Sequence, residues 1–140
     1  MRIPTWVCDW LVARLMARVG HTAPDQYVRD STGTLLIKRW NLSSTRWLSV
    51  RLHMICASDG DRHLHDHPWR NITIVLSGQY VEILPGGVVR TRKSGEIVAR
   101  RATALHRIVL PHPDDRCVSL FLHGRKVREF GFWRPAAEPE

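Results

Sequence analysis

Apolar and polar positions alternate along most of this chain, and the period of the alternation changes once. Over residues 4–19, Trp6, Val7, Trp10, Leu11, Leu15 and Val19 recur at three- and four-residue spacing, the signature of a helix with one apolar face. Pro4 stands where a first helical turn tolerates a missing N–H, and Gly20 is placed to end the helix. The stripe predicts packing against a core or a second copy of the chain. Asp9, Arg14 and Arg18 interrupt it, so it is not a clean secretory h-region. No stretch approaches the roughly 20 apolar residues of a membrane span, and no membrane partner is expected.

Beyond residue 33 the period falls to two, and the chain reads as short strands. Thr34–Trp40 is a β-rich run. In Thr45–Ile55, Leu48, Val50, Leu52 and Met54 alternate with Trp47, Ser49, Arg51 and His53. Further strands are expected at Ile72–Leu76, Gln79–Leu84, Val88–Arg92, Glu96–Arg100, Leu105–Leu110, Cys117–Leu122 and Val127–Trp133. Gly78, Pro85-Gly86-Gly87, Lys93-Ser94-Gly95 and Pro111–Asp115 punctuate them. Many short strands with Gly/Pro turns indicate an all-β sandwich or barrel. The division expected is a helix and lead-in over 1–33, a barrel over 34–133 and a tail over 134–140.

Composition narrows the class. The chain has 140 residues, one ordinary domain, and 44% hydrophobic residues, enough for a core. Its three cysteines, Cys8, Cys56 and Cys117, form no CxxC pair; they read as buried thiols in a reducing cytoplasm. The formal net charge of +8 admits a solvated basic surface, nucleic acid, an anionic small molecule or an acidic partner. Arg90, Arg92, Lys93, Arg100 and Arg101 read as one basic hairpin, and Arg125, Lys126 and Arg128 as a second group. No helix-turn-helix, zinc-finger or RNA-binding sheet signature accompanies them, so nucleic acid contact would be weak and nonspecific.

The chemistry concentrates in Asp61-Arg62-His63-Leu64-His65-Asp66-His67-Pro68-Trp69. Three histidines stand at alternate positions. If the segment is a strand, their imidazoles share one face, with neighbours roughly 7 Å apart at the backbone and able to converge on one ion. Imidazole is the commonest ligand of zinc, iron, copper and nickel. Asp66 would point to the opposite face.

This spacing resembles the first motif of the cupin superfamily, G-x5-H-x-H-x(3,4)-E-x6-G. With His65 and His67 as the pair, Asn71 takes the glutamate position and Gly78 the closing glycine; Gly60 is one place off the opening one. The second motif, G-x5-P-x-G-x2-H-x3-N, is met by Gly95 and His106 in register, with Arg101, Thr103 and Leu110 at its other positions. His65–Trp69 and Arg128–Trp133 are also similar to the His-Asp-His-Pro-Trp and Arg-Glu-Trp/Phe-Gly-Phe-Trp segments of small, uncharacterised cupin-like proteins of bacteria and phages. The resemblance implies an all-β double-stranded β-helix (jelly roll) behind an N-terminal amphipathic helix. It also implies a homodimer and one divalent ion (iron, zinc or nickel) on His65, His67 and His106.

Asn71 in place of the carboxylate would leave a three-histidine site similar to that of thiol dioxygenases, with open positions of the kind an iron oxygenase uses. The function this implies is a mononuclear metal-binding cupin, an oxygenase on a small, anionic substrate if catalytic. His63 reads as a replacement ligand, an orienting group or a residue at the barrel mouth. Trp69 reads as a pocket wall or barrel-end residue. Arg51 and His53 share a face that would bind an anionic group if it lines the barrel. Tyr80 and Glu82 share a face after Gly78, and a tyrosine with a histidine resembles the metal-free sugar isomerases and epimerases of the superfamily. A non-catalytic binding or structural module with a basic surface is the third reading. His112 and His123 read as surface residues.

Overall fold

The computed structural model describes residues 1–59 and 63–131. One helix, α1 (Thr5–Val19), precedes nine strands: β1 (Gln26–Arg29), β2 (Leu35–Ser44), β3 (Ser49–Ile55), β4 (Asn71–Ser77), β5 (Gln79–Leu84), β6 (Val88–Lys93), β7 (Ile97–Arg100), β8 (Arg107–Val109) and β9 (Cys117–His123). They form a six-stranded sheet, β1-β2-β3-β9-β4-β7, and a three-stranded sheet, β6-β5-β8. Every pairing is antiparallel.

The period of two decides what each face does. On one face of the large sheet, Trp40, Leu52 and Leu76 pack against Cys8, Leu11, Val12, Leu15 and Met16 of α1. The other face is the barrel interior. There Ile55, Val75 and Cys117 meet Tyr80 of β5 and Leu110 beyond β8, which seals the two sheets together. Cys8, Cys56 and Cys117 are all buried and free, and burial pushes the Cys117 thiol up to about 12.

Two glycines of the motif have no substitute. Gly78, between β4 and β5, has φ +75°, and a Cβ there would lie 2.4 Å from the Arg116 carbonyl oxygen. Gly95, between β6 and β7, has φ +93°, and a Cβ would lie 2.4 Å from the Ile3 carbonyl oxygen.

Several expectations are corrected. Trp6 and Trp10 are 73% and 54% exposed, because Cys8 and Val12 form the packed face with Leu11 and Leu15. The strand expected from Thr45 begins at Ser49, since Thr45 turns the hairpin by accepting the Leu48 and Trp47 amides on its hydroxyl. β1, four largely exposed residues without alternation, carried no signal. Residues 127–131 are not a strand: the Val127 amide donates to the Pro68 carbonyl and the Gly131 amide to the Asp66 carboxylate. Phe132 and Trp133, like Gly60, Asp61 and Arg62, lie outside the described residues. The basic hairpin does not form, because β6 and β7 enter different sheets. No helix among the described residues is long and apolar enough to cross a membrane.

Candidate metal centre

The histidine run is a loop between β3 and β4, not a strand. Its amides are dispersed over three partners: His65 donates to the His106 carbonyl, Asp66 to that of Gly131 and His67 to that of Ala102. Only the His65–His106 bridge resembles a ladder. The alternation of side chains survives. Asp66 turns away and is clamped by Arg128 at 2.9 Å and the Gly131 amide at 2.8 Å, so the two resembled segments meet each other in space.

His65 and His67 turn inward to His106, which stands just before β8. One ligand nitrogen from each lies within 4.8 Å of the others. Two nitrogens each about 2.1 Å from one ion are at most roughly 4.2 Å apart, so a small ring rotation closes the set on a metal. The Nε2 atoms of His67 and His106 already face each other at 2.8 Å. Burial, reinforced by the neighbouring His106 and His65, drives His67 down to about 2, so its imidazole is neutral.

Behind His106 stands Glu82, fully buried on β5. Its Oε1 accepts from His106 Nδ1 and from Arg100 Nε, each at 2.7 Å, and its Oε2 accepts from Arg92 Nε at 2.7 Å. Burial alone would raise this carboxyl, but the bonds from His106 and Arg100 outweigh it and hold Glu82 well below the usual carboxylate range. The hydrogen-bond network therefore puts the His106 proton on Nδ1 and leaves the Nε2 lone pair directed at His67. Arg100 continues the network to Tyr80 Oη at 3.0 Å and Thr73 Oγ1 at 2.9 Å, tying β7 and β4 of one sheet to β5 of the other.

The three imidazoles line a cavity of about 90 Å³ together with Arg39, His53, Asp59, Trp69, Tyr80 and Phe121. Of the expected pocket residues, His53, Trp69 and Tyr80 line it. Arg51 lies behind Trp69, its guanidinium 5.5 Å from the ring centroid. Asn71 is buried but committed elsewhere: its Oδ1 accepts from Arg100 and its Nδ2 donates to the Trp69 carbonyl, each at 3.4 Å. His63 is half-buried and outside the lining. His112 is exposed, whereas His123, expected at the surface, is buried and stacked on Trp69 at 4.2 Å.

Sequence reasoning missed Arg39, Arg100 and His123 and gave Glu82 no partner. A signal existed: Glu82 occupies an inward position between Tyr80 and Leu84, and a charge at such a position requires a counter-charge. Nothing local names the residue that supplies it.

No family model matches the sequence, and no curated protein matches it. Solved structures do resemble the fold. The DMSP lyase DddQ of Ruegeria pomeroyi is 14% identical, with 99% of this chain and 84% of that one covered and a TM-score of 0.65. A cupin-2 domain protein of Rhodospirillum rubrum is 15% identical, covering 79% and 75%, at 0.63. A conserved protein of Klebsiella pneumoniae with a double-stranded β-helix domain is 20% identical, covering 79% and 94%, at 0.56. Likeness at this level of identity establishes architecture, and the architecture of this chain is the cupin double-stranded β-helix.

Proposed function

We propose that the protein is a mononuclear metal-binding cupin in which His65, His67 and His106 hold one divalent ion and a small molecule reacts beside it. The convergence of three imidazole nitrogens within 4.8 Å carries this reading. The neutral imidazole of His67 is in the protonation state a metal requires, and a carboxylate on the far nitrogen of His106 is the usual outer partner of a ligating histidine. Iron, zinc and nickel all suit such donors.

His65, His67 and His106 would hold the ion, which would supply Lewis-acid chemistry or, if it is iron, oxygen activation, so an oxygenase on a small substrate is the reaction class we favour. The chain's own residues do the rest. Glu82 fixes the tautomer of His106. Asp66, through Arg128 and Gly131, fixes the loop that carries His65 and His67. Ile37, Ile55, Ile108 and Phe121 give the cavity apolar walls that exclude bulk water. At about 90 Å³ the cavity is well below the 300–1,000 Å³ of sites for drug-sized ligands, so a substrate enters as a small molecule or by one end only. The metal-free isomerase reading has less support, because it calls on one imidazole where three converge.

Elemental analysis of untagged protein, purified without chelator, tests the site. About one equivalent of metal, lost in a folded His106→Ala variant, is expected, together with a rise in melting temperature on remetallation of the wild type alone. Absence of metal after anaerobic reconstitution, or unchanged stoichiometry in the variant, would overturn the assignment.

A further inference from the structure

Beside the histidine site, two guanidiniums and two imidazoles share the inner face of the large sheet. Arg39 on β2, Arg51 and His53 on β3 and His123 on β9 all face the barrel interior. Arg39 pairs with His53 in the strand register; Arg51 pairs with Phe121, two residues before His123. Among the described residues no carboxylate forms an ion pair with Arg39 or Arg51. Arg39 gives its Nε to His53 at 2.9 Å and its Nη1 to Gln26 at 2.7 Å.

Among the described residues, two buried polar side-chain atoms lack any hydrogen-bond partner, Arg51 Nη1 and His123 Nε2. Both side chains rest against the same ring, Trp69, which also lines the cavity of the histidine site. His123 is 7% exposed. Buried polar atoms are nearly always satisfied, so two orphans on one ring mark a place where a ligand supplies the partners. Burial and the approach of Arg51 together depress Arg39 to about 10, the response of two guanidiniums with no anion between them.

The orphaned atoms differ in kind, and the difference defines the ligand. Arg51 Nη1 can only donate and seeks an anionic oxygen. The His123 Nδ1 faces the Gly124 carbonyl at 2.8 Å, so its proton sits there and Nε2 presents a lone pair. That lone pair seeks a hydroxyl hydrogen.

We propose that Arg39, Arg51 and His123, grouped around Trp69, form a subsite for a small oxyanion that also carries a hydroxyl, of the 2-hydroxycarboxylate or hydrogen phosphate type. Arg39 and Arg51 receive the negative charge and His123 Nε2 receives the hydroxyl hydrogen. The subsite rests on the metal reading for its role: Arg39 and Trp69 belong to it and also line the histidine cavity, so a substrate held there directs its other end toward His65, His67 and His106. Its own binding does not require the ion.

The test is calorimetric titration of full-length, chelator-treated protein with glycolate, acetate and inorganic phosphate. Glycolate is expected to bind at least tenfold tighter than acetate. Arg51→Met should lower the affinity for glycolate at least tenfold. His123→Phe keeps a ring on Trp69 and should erase the preference for glycolate over acetate while leaving acetate affinity unchanged. Phosphate binding that depends on Arg51 and exceeds that of glycolate identifies a phosphate-bearing substrate and supports the same subsite. Absence of saturable binding by all three, or equal binding by wild type and a folded Arg51→Met variant, would overturn it. Because the titration is metal-free, it fails independently of the elemental analysis that tests the ion.

Discussion

The barrel interior contains two clusters of arginine and histidine side chains, and they are built in opposite ways. Around Glu82, one carboxylate takes His106, Arg100 and Arg92 at 2.7 Å each, and Arg100 places its remaining donors on Tyr80, Thr73 and Asn71. Around Trp69, no carboxylate among the described residues forms an ion pair with Arg39, Arg51 or His123, and two polar atoms lack a hydrogen-bond partner. A closed cluster gives its interaction energy to the fold: it locks two sheets together and sets a histidine tautomer. An open cluster lowers the stability of the empty protein and returns that energy when a ligand fills it.

The largest effect should come from breaking the closed cluster. Arg100→Met removes the guanidinium that joins β7 to β5 and leaves Glu82 with less compensation for its buried charge. Deleting one partner of a buried pair costs about 3–5 kcal/mol. Urea unfolding of the metal-free protein should show a loss of that order. A loss below about 1 kcal/mol would mean that the sheets are held by apolar packing alone.

Next is the clamp outside the metal loop. Asp66→Asn keeps the shape of the side chain but discharges the partner of Arg128. Hydrogen bonds to charged groups contribute about 1.5–3 kcal/mol, and the partial exposure of Arg128 puts this one toward the lower end. Because Asp66 stands between His65 and His67, the variant should also weaken metal binding 10–100-fold, as loss of an outer partner typically does. Chelator competition reads this directly. Lost stability with unchanged metal affinity would reduce Asp66 to a structural role.

What the sequence shows and hides follows the same division. Alternation revealed most strands, because one face of the large sheet meets α1 and the other the barrel interior. It could not reveal β1, whose four residues are largely exposed. The histidine pair was legible through spacing, although the segment is a loop; alternate side-chain directions need extended backbone, not a ladder. The partners of Glu82 were hidden because they come from β6, β7 and the approach to β8. Arg92 and Arg100 read as neighbours on one hairpin, yet their strands separate into two sheets, and the two meet only at the carboxylate. His123 looked like a surface residue because it ends a strand; Trp69, more than fifty residues earlier, covers it.

A smaller effect separates the clusters by pH. His53, in the open cluster, is held well below its ordinary value, first by burial and then by Arg39 and Arg51. The unfolded chain takes up a proton on this residue below about pH 6.5, while the folded chain does not. Stability present above that pH is therefore lost as pH falls, by up to about 1.4 kcal/mol per pH unit for this group. Comparing wild type with His53→Phe between pH 7 and 5 isolates its share. Equal slopes would show that His53 takes up its proton in the folded chain as it does in the unfolded one.

The smallest expected change in stability is the most diagnostic. Arg51→Met deletes a charge, as Arg100→Met does, and from the same barrel. Yet Arg51 has no acidic partner among the described residues, leaves a donor unsatisfied and sits near Arg39, while its side chain lies over Trp69. Methionine retains that contact and removes the repulsion. The variant should therefore stay within about 0.5 kcal/mol of wild type, or exceed it, in the absence of ligand. Denaturation with and without glycolate then completes the comparison: stabilisation by the acid belongs to the wild type and disappears in the variant. A loss of several kcal/mol in ligand-free Arg51→Met would mean that this guanidinium is satisfied within the fold. The open cluster would then be as structural as the closed one.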